Sequence, residues 1–267
     1  MSYEIYHDDC LVKMEDIPDK SIDMILCDLP YGFSLNECDW DVIIPMSAMW
    51  DSYTRIIKDG GAIVLFGQEP FSSELRMSNK TWYKYDWIWE KRRPTNFAHA
   101  KNCPLKIHEL ISVFSCGSIN HATINGRSTN RMNYYPQGTI PCNMTIKNTT
   151  TKPCFDLRES HKSEHTITTT NYPKSILQFN SDNVDASLHP TQKPVKLLEY
   201  LIKTYTLENN TVLDNCMGSG STGIACLNTN RHFIGIERDE KFFNVAKTRL
   251  ETHNNTVETT IEQFFVE

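Results

Sequence analysis

The sequence predicts an α/β protein built on a mostly parallel, doubly wound sheet, and three observations lead to this prediction. Short apolar runs of strand length alternate with segments in which apolar residues recur at helical spacing. A glycine-rich turn, GSGSTG at residues 218–223, lies between one apolar run and a helix. The chain has 267 residues, of which 39% are hydrophobic and 22% charged, and this suits one large core domain that carries an insertion.

The first third of the chain supplies the early strands of this sheet. Strands are predicted at residues 4–7, 22–27, 62–66, 86–90 and 110–114, and helices at 11–15 and 46–58. The second helix is expected to end at KDGG, because glycine is favoured just after a last helical turn. Strands that are separated by helices pair in parallel, so we expect helices on both faces.

The same alternation resumes after residue 188. Helices are predicted at 195–206, from the glycine turn through 227, and at 241–251, with strands at 211–214 and 232–237. Only about thirty residues follow Glu237, and they do not hold the remaining strands of a doubly wound sheet. The early strands must therefore complete the sheet, with the glycine turn late in the chain.

Residues 117–187 have a different character. They are rich in Asn, Thr and Ser, show little apolar periodicity and are too many for an ordinary loop. Cations such as Arg127 and Arg131 slightly outnumber acids there, and amides, hydroxyls and cations suit contacts to phosphates and base edges. We therefore expect a core domain from residues 1–116 and 188–267, interrupted by an irregular region that contacts a partner.

Bulk properties exclude several classes of protein. The first residues, MSYEIYHDDC, lack the features of a signal peptide, and no apolar run reaches the length of a membrane span. The nine cysteines have no CxxC spacing, which disfavours a zinc site or a disulfide framework. We expect an intracellular protein that is not secreted and has no membrane partner and no metal.

Positive charge is concentrated in one segment, although the net charge is −6. Residues 79–106 contain seven cations and two acids, and a local excess of this kind favours phosphate contacts. Charge alone fits a solvated surface equally well. The candidates for phosphate contact are Lys91, Arg92, Arg93 and Lys101, beside an aromatic residue, Phe97.

The glycine turn indicates a site for a nucleotide-like ligand. Gly218, Gly220 and Gly223 fit the GxGxxG spacing, and Glu237 follows at the distance typical of an acid that binds ribose hydroxyls. Nicotinamide, flavin and S-adenosylmethionine sites all share this pattern. Asp214 precedes the glycines, and a carboxylate there suits a ligand with an amino group better than a pyrophosphate.

A second motif, CDLPY at residues 27–31, ends another buried strand, so it is expected at the same edge of the sheet as the glycines. Asp28 can accept a hydrogen bond from an exocyclic amino group, and Pro30 constrains a neighbouring carbonyl that can accept a second. Tyr31 can stack on a flat heterocycle. These residues predict a pocket for an unstacked base that carries an amino group.

Together these motifs resemble those of the S-adenosylmethionine-dependent DNA amino-methyltransferases, in the permuted, β-type order that places the catalytic motif before the cofactor loop. DLPY resembles the family's DPPY, with Leu29 replacing a proline. LDNCMGSGST resembles DPFxGSGT, with Asn215 and Cys216 where Pro-Phe is usual, so we expect weaker cofactor packing there. HDDC, KDGGAIVLF, HELISVF, HPTQKP and IGIERDE also match, and the resemblance covers residues 1–116 and 188–251.

The resemblance implies a Rossmann-like methyltransferase fold, with S-adenosylmethionine as cofactor, and methyl transfer to N6 of a flipped adenine in double-stranded DNA. It implies catalytic roles for Asp28, Pro30 and Tyr31. The implied cofactor contacts are Asp9, Cys10, Asp28, Thr191, Lys193, Asp214, Cys216, Gly218, Ser219, Gly220, Ser221, Thr222, Glu237 and Arg238. The implied DNA contacts are Lys91, Arg92, Arg93, Phe97, Lys101, Arg127 and Arg131, with residues 117–187 as the target-recognition region.

Several alternatives stay open at this stage. The same chemistry could act on N4 of cytosine or on an amino group in RNA, although family members with an acid at the first DPPY position usually modify adenine. A nicotinamide or flavin oxidoreductase would explain the glycine turn but not DLPY or HPTQKP. A DNA-binding protein without activity is a third possibility. Asp9 also fits a helix N-cap, and dimers among relatives make a homodimer one expectation.

Overall fold

The computed structural model describes residues 2–32, 41–120, 130–147, 164–180 and 192–264, with side chains up to residue 255. The chain divides into two compact units. One consists of Met1–Tyr135 with Ser175–Glu267, and the other is Pro136–Lys174. The smaller unit falls within residues 117–187, for which the sequence predicts the target-recognition region.

The larger unit begins with five strands and three helices. They are β1 (Tyr3–His7), α1 (Cys10–Glu15), β2 (Ile22–Asp28), α2 (Met46–Ile56), β3 (Ile57–Gly67), α3 (Phe71–Ser78), β4 (Tyr83–Thr95), a single 3-10 turn (Phe97–His99) and β5 (Lys106–Phe114). The smaller unit holds β6 (Ile140–Lys147) and β7 (Glu164–Thr170). The larger unit continues with β8 (Ile176–Gln178), α4 (Val195–Tyr205), β9 (Thr211–Asp214), α5 (Ser221–Asn228), β10 (His232–Glu237) and α6 (Glu240–Phe264).

The main sheet has the strand order β1-β10-β9-β2-β3-β5-β4-β8. Neighbours from β1 to β3 run parallel, as do β4 and β8, whereas β5 runs antiparallel to both β3 and β4. The early and late halves of the chain meet where β2 pairs with β9, through Met24 with Val212 and Ile25 with Leu213. The predicted wrapping of one half around the other is therefore confirmed, and Asp28 and the glycine loop lie at one edge.

Both faces of the sheet are covered by helices. Alternate residues of β2 point to opposite faces: Met24 joins one buried cluster, which includes side chains of α4, α5 and α6, and Ile25 joins another, which includes side chains of α1, α2 and α3. A strand buried on both sides is apolar throughout, which is why β2 reads as a continuous apolar run. The predicted doubly wound α/β fold is confirmed.

The prediction that KDGG ends the second helix is wrong. α2 ends at Ile56, and residues 58–61 lie inside β3. Gly60 adopts a φ of +79°, and a Cβ on Gly61 would lie 2.9 Å from the carbonyl oxygen of Asp23 on the neighbouring strand. These glycines serve an irregular parallel pairing with β2 rather than a helix end.

β4 and β5 form a long antiparallel hairpin that was expected only as two short strands. Their pairing runs from Tyr83 with Phe114 to Thr95 with Lys106, and residues 96–105 form the connection. The last five residues of β4, KRRPT, are charged or otherwise not apolar in alternation, and none of them is buried, so no apolar alternation marks them as strand. Backbone pairing, rather than burial of side chains, extends this hairpin beyond the core.

Residues 117–187 contain three strands that their polar sequence does not predict. β6 and β7 pair in antiparallel register in the smaller unit, with Met144 opposite Ile167 and Lys147 opposite Glu164. β8 joins the edge of the main sheet beside β4, through Ile88 with Ile176. The core domain thus recovers a strand from the region that the sequence assigns to the insertion. None of the helices in the described part of the chain is long and apolar enough to cross a membrane.

Candidate active site

A cavity of about 340 Å³ lies at the carboxyl ends of β1, β2, β9 and β10. Ligands of open α/β sheets bind at this edge. Fourteen of the predicted site residues line it: Asp9, Cys10, Asp28, Pro30, Tyr31, Lys193, Asp214, Cys216, Gly218, Ser219, Ser221, Thr222, Glu237 and Arg238. The fold therefore gathers two motifs that lie nearly two hundred residues apart in the sequence.

The Asp28 carboxylate follows directly on the buried strand β2 and is held by two neighbours. Tyr31 Oη donates a hydrogen bond to Asp28 Oδ1, and Lys193 Nζ donates one to Asp28 Oδ2. The Tyr31 ring also packs against Phe71, with 5.1 Å between ring centroids. Burial, followed by the Asp28 charge, raises the pKa of Tyr31 well above its usual value, so its hydroxyl remains a donor. These contacts fix the carboxylate and the ring together at the cavity wall.

Lys193 connects Asp28 to a second buried acid, Glu109 on β5. Its Nζ lies 3.5 Å from Glu109 Oε2, and Lys91 Nζ donates to Glu109 Oε1. Burial disfavours both charges, but the opposite charges outweigh it: the pKa of Lys193 is raised, and Lys193 and Lys91 lower the pKa of Glu109. Asp28, Lys193, Glu109 and Lys91 thus form a row of alternating charges, of which the first three line the cavity.

Asp214 is fully buried at the end of β9 and orders the loop that follows. Its Oδ1 accepts a 3.1 Å hydrogen bond from the Cys216 amide, and its Oδ2 accepts a 2.6 Å bond from Thr222 Oγ1 in the first turn of α5. Burial raises the pKa of Asp214 to about 6, although these two bonds work in the opposite direction. Asp214 therefore connects the two ends of the glycine loop.

Glu237, at the end of β10, also binds this loop. Its Oε2 accepts a 2.8 Å hydrogen bond from the Gly218 amide, and its Oε1 accepts one of 2.8 Å from the Asp239 amide. Burial raises the pKa of Glu237 despite these bonds. Each carboxylate oxygen has a further lone pair, so Glu237 can still accept from a ligand hydroxyl.

The glycine loop makes a close approach to α6. Gly220 has a φ of +76°, and a Cβ there would lie 3.0 Å from the Cβ of Ala246. Arg249 on α6 donates to the carbonyl oxygen of Ser219 and, at 3.0 Å, to its Oγ. Gly220 does not line the cavity, unlike Gly218 and Ser219, so its contribution is to the path of the loop.

Asp9 has the helix-capping role that the sequence left open, and it also lines the cavity. Its Oδ1 accepts a 2.8 Å hydrogen bond from the Leu11 amide at the start of α1. The neighbouring Cys10 interacts with Cys216, and this contact, together with burial, raises the pKa of Cys10. Both cysteine thiols are therefore protonated side chains in the cavity wall.

The predicted DNA-binding residues that the structure describes are not among the residues lining the cavity. Four of them are exposed on the β4–β5 hairpin: Arg92, Arg93, Phe97 and Lys101. Arg131, outside this hairpin, is exposed as well. Phe97 is 65% exposed and does not line the cavity that Tyr31 lines. Lys91 differs from the others because it pairs with Glu109. Thr191 and Arg127 lie outside the described residues.

Further residues that the sequence does not predict as site residues also line the cavity. They include Asp41, Gln68, Glu109, Gln192 and Phe242. Glu109 lies within the motif HELISVF and Gln192 within HPTQKP, so the resemblance covers both positions but implies no role for either side chain. Phe242 supplies an aromatic wall from α6, although Asn215 and Cys216 replace the usual Pro-Phe.

The cavity offers hydrogen-bond acceptors that suit a cofactor with hydrogen-bond donors. The Oε1 atom of Gln192 is buried and accepts no hydrogen bond from the described residues. Such an atom normally has a donor partner, and an amino group in the cavity would supply one. Carboxylates at Asp9 and Glu237 offer further acceptors, so the residues fit a ligand that carries amino and hydroxyl groups.

The chain is similar to known DNA methylases. Residues 22–248 match the family model N6_N4_Mtase, described as DNA methylase. The chain resembles the structure of an M1.HpyAVI–SAM complex, with a TM-score of 0.60, 21% identity and coverage of 93% of this chain and 98% of the other. It also resembles PvuII DNA methyltransferase (cytosine-N4-specific), with a TM-score of 0.63, 15% identity and coverage of 96% and 91%.

Two curated relatives have significant sequence similarity. Type II methyltransferase M.HinfI of Haemophilus influenzae is 27% identical, over 91% of this chain and 66% of its own length. Type II methyltransferase M2.DpnII of Streptococcus pneumoniae is 44% identical, over 27% of this chain and 26% of its own length. The chain therefore spans less than two thirds of either relative. Because the family model covers most of the chain, the protein belongs to the N6/N4 family of DNA methylases, as its motifs predicted.

Proposed function

We propose that the protein transfers a methyl group from S-adenosylmethionine to the exocyclic N6 of an adenine flipped out of double-stranded DNA. The observation that carries this proposal is that Asp28 and the glycine loop line one cavity. A base held at Asp28 would face a cofactor held at the loop. Family membership and the resemblance to a structure that contains SAM support the same reaction.

The residues around Asp28 would prepare the amino group. The lone pair of an exocyclic amine is delocalised into the ring, which makes it a weak nucleophile. Hydrogen bonds from its N–H groups to Asp28 and to a backbone carbonyl beside Pro30 would favour tetrahedral nitrogen and stabilise the developing positive charge. Tyr31, held by Asp28 and Phe71, would stack on the base.

S-adenosylmethionine supplies a methyl group already activated by a sulfonium. The protein's contribution is to orient that group and to exclude water. Glu237 would accept the ribose hydroxyls and Asp9 the adenine amino group. Gln192 Oε1, which accepts no hydrogen bond from the described residues, would accept from the ammonium of the methionine part. Asp214 would fix the conformation of the loop.

The β4–β5 hairpin is the proposed contact to the DNA backbone. No acid lies between Lys91 and His108, so the segment is strongly positive in a protein whose net charge is −6. Arg92, Arg93 and Lys101 are exposed there and would bind phosphates. The smaller unit, Pro136–Lys174, is the proposed site of target recognition, because its amides and hydroxyls suit base edges.

Adenine is proposed over cytosine because the tetrapeptide begins with Asp28, and family members that modify cytosine N4 often have serine there. The decisive experiment supplies labelled S-adenosylmethionine and unmethylated duplex DNA, and separates the nucleosides after digestion. We expect label in N6-methyladenine. Label in N4-methylcytosine would replace adenine with cytosine and keep the mechanism.

Asp28→Ala tests the assignment of the site. We expect transfer to be lost while the dissociation constant for S-adenosylmethionine changes little, because Asp28 contacts the base rather than the bulk of the cofactor. Asp51→Ala, on an exposed face of α2, is the matched control and should retain full activity. Near-normal turnover by Asp28→Ala would contradict this account.

A further inference from the structure

Glu109 occupies an unusual electrostatic position next to the proposed base site. It is only 5% exposed, lies on β5 and lines the cavity. Lys91 Nζ donates to its Oε1, whereas its Oε2 is buried and lies 3.5 Å from Lys193 Nζ. That oxygen accepts no hydrogen bond within the described part of the chain.

A buried carboxylate oxygen that accepts no hydrogen bond is costly, so this oxygen, whose ion-pair partner Lys193 lies 3.5 Å away, calls for an explanation. The Lys193 ammonium, 3.5 Å from this oxygen, is a donor that is also buried and that currently donates to Asp28. An ammonium has three N–H donors and no acceptor, so Lys193 can bond either acid or both. The structure thus contains one cation between two carboxylates, bonded to the first and close to the second.

Both oxygens of Asp28 already accept hydrogen bonds, one from Tyr31 and one from Lys193. An entering amino group must share or take the place of Lys193. It must then gain positive charge during methyl transfer, and an adjacent ammonium would oppose that charge. The Asp28–Lys193 pair by itself is neutral, so it offers little net stabilisation of a cationic amine.

We infer that Glu109 is a positioning residue that receives the Lys193 ammonium when the target amino group takes its place on Asp28. This inference rests on the proposed methyl transfer to an amino group. This movement of the Lys193 ammonium supplies a hydrogen-bond donor to Glu109 Oε2 and leaves the charge of Asp28 facing the amine. Lys91 keeps Glu109 ionised from the other side and does not move. No covalent bond changes in this step.

The first test needs no substrate. Asp28→Asn removes the charge that holds Lys193 but keeps the shape of the side chain. A crystal structure of this variant is expected to show Lys193 Nζ within ordinary hydrogen-bond distance of Glu109 Oε2, about 2.8 Å. An ammonium that stays on residue 28 would overturn the inference, whatever reaction the protein performs.

The second test is kinetic. Glu109→Gln replaces the carboxylate that would receive Lys193 with a neutral amide of similar volume. We expect it to lower kcat about tenfold with an unchanged affinity for S-adenosylmethionine. The double variant Glu109→Gln with Lys193→Met removes the stranded ammonium as well. At saturating cofactor it should transfer methyl groups faster than Glu109→Gln alone, a recovery that a purely structural role would not produce.

Glu90→Gln is the matched control, because Glu90 is a carboxylate on the same hairpin that pairs with Gln178 and does not line the cavity. Its kcat should equal that of the wild type. Unchanged kcat in Glu109→Gln, or a loss that the double variant does not relieve, would refute the positioning role. If the wild type transferred no methyl group at all, the proposed function would fail, and the Asp28→Asn structure would still decide the inference about Lys193.

Discussion

Tyr53 Oη donates a 2.6 Å hydrogen bond to Asn215 Oδ1, and both side chains are buried. Tyr53 lies on α2 in the early half of the chain, and Asn215 follows β9 at the position where related sequences usually have proline. The bond therefore ties an early helix to the cofactor loop. Asn215, which departs from the family motif, is therefore stabilised by a hydrogen bond from Tyr53.

Tyr53→Phe should weaken the fold and the cofactor site together. Removing the hydroxyl leaves Asn215 Oδ1 buried without a donor, which costs about 1–3 kcal/mol. We expect a decrease of that size in the free energy of unfolding in urea, and weaker binding of S-adenosylmethionine by calorimetry. Tyr134→Phe, at a half-exposed tyrosine, is the control and should change neither quantity. Equal values for both variants would show that the bond contributes nothing.

Asp214 predicts a specific dependence of stability on pH. Its pKa is raised to about 6 in the folded protein and is about 3.9 when unfolded. The folded state therefore holds a proton that the unfolded state has released, so stability falls as the pH rises from about 4 to about 6. Asp214→Asn lacks this contribution, which amounts to about 3 kcal/mol. Urea titrations across this interval should show the wild type losing stability relative to the variant, and parallel curves would contradict the raised pKa.

Gly220→Ala should damage the cofactor loop for two reasons, an unfavourable backbone angle and a lack of space. The new Cβ would lie 3.0 Å from the Cβ of Ala246, at a φ of +76°. Gly138 in the smaller unit has a φ of +74°, but a Cβ there meets nothing closer than 3.9 Å. Gly138→Ala therefore measures the cost of the angle alone, about 1–2 kcal/mol. We expect Gly220→Ala to lose more stability and also to bind S-adenosylmethionine more weakly, which Gly138→Ala should not do.

The cationic hairpin should determine how DNA affinity depends on salt. Each lost phosphate contact lowers the slope of log affinity against log salt concentration by about 1. The combined variant Arg92→Ala, Arg93→Ala and Lys101→Ala should bind duplex DNA more weakly at low salt, with a slope reduced by about 3. Lys247→Ala, an exposed cation on α6, is the control. An unchanged slope would remove the hairpin from the proposed DNA interface.

The sequence predicts those parts of the site whose functional residues lie close together along the chain. Asp28 and Tyr31 lie three residues apart at the end of one strand, and the glycines lie in one loop, so each motif could be interpreted before its partner was known. The parallel sheet then had to bring them together, because both motifs follow strands. Fourteen predicted residues consequently line one cavity.

The features that sequence missed depend on contacts between distant segments. Nothing near Glu109 in the chain indicates that it pairs with Lys193, and nothing near Asn215 indicates Tyr53. Lys91 looked like a phosphate ligand because local charge cannot reveal a buried partner on the neighbouring strand. The KDGG segment was misassigned because glycine also serves where one strand's backbone must approach another closely.

The order of strands in the main sheet has a consequence for a newly made chain. β1 pairs with β10, so Tyr3 can pair only after Phe233 has been synthesised. The part of the sheet that carries Glu237 therefore combines an early and a late segment of the chain. A ribosome that stops after β5 releases DLPY without the loop it faces. A chain truncated there lacks the glycine loop that lines the cavity together with Asp28, and contacts between such distant residues form slowly. The cavity would be complete only after synthesis has passed Glu237.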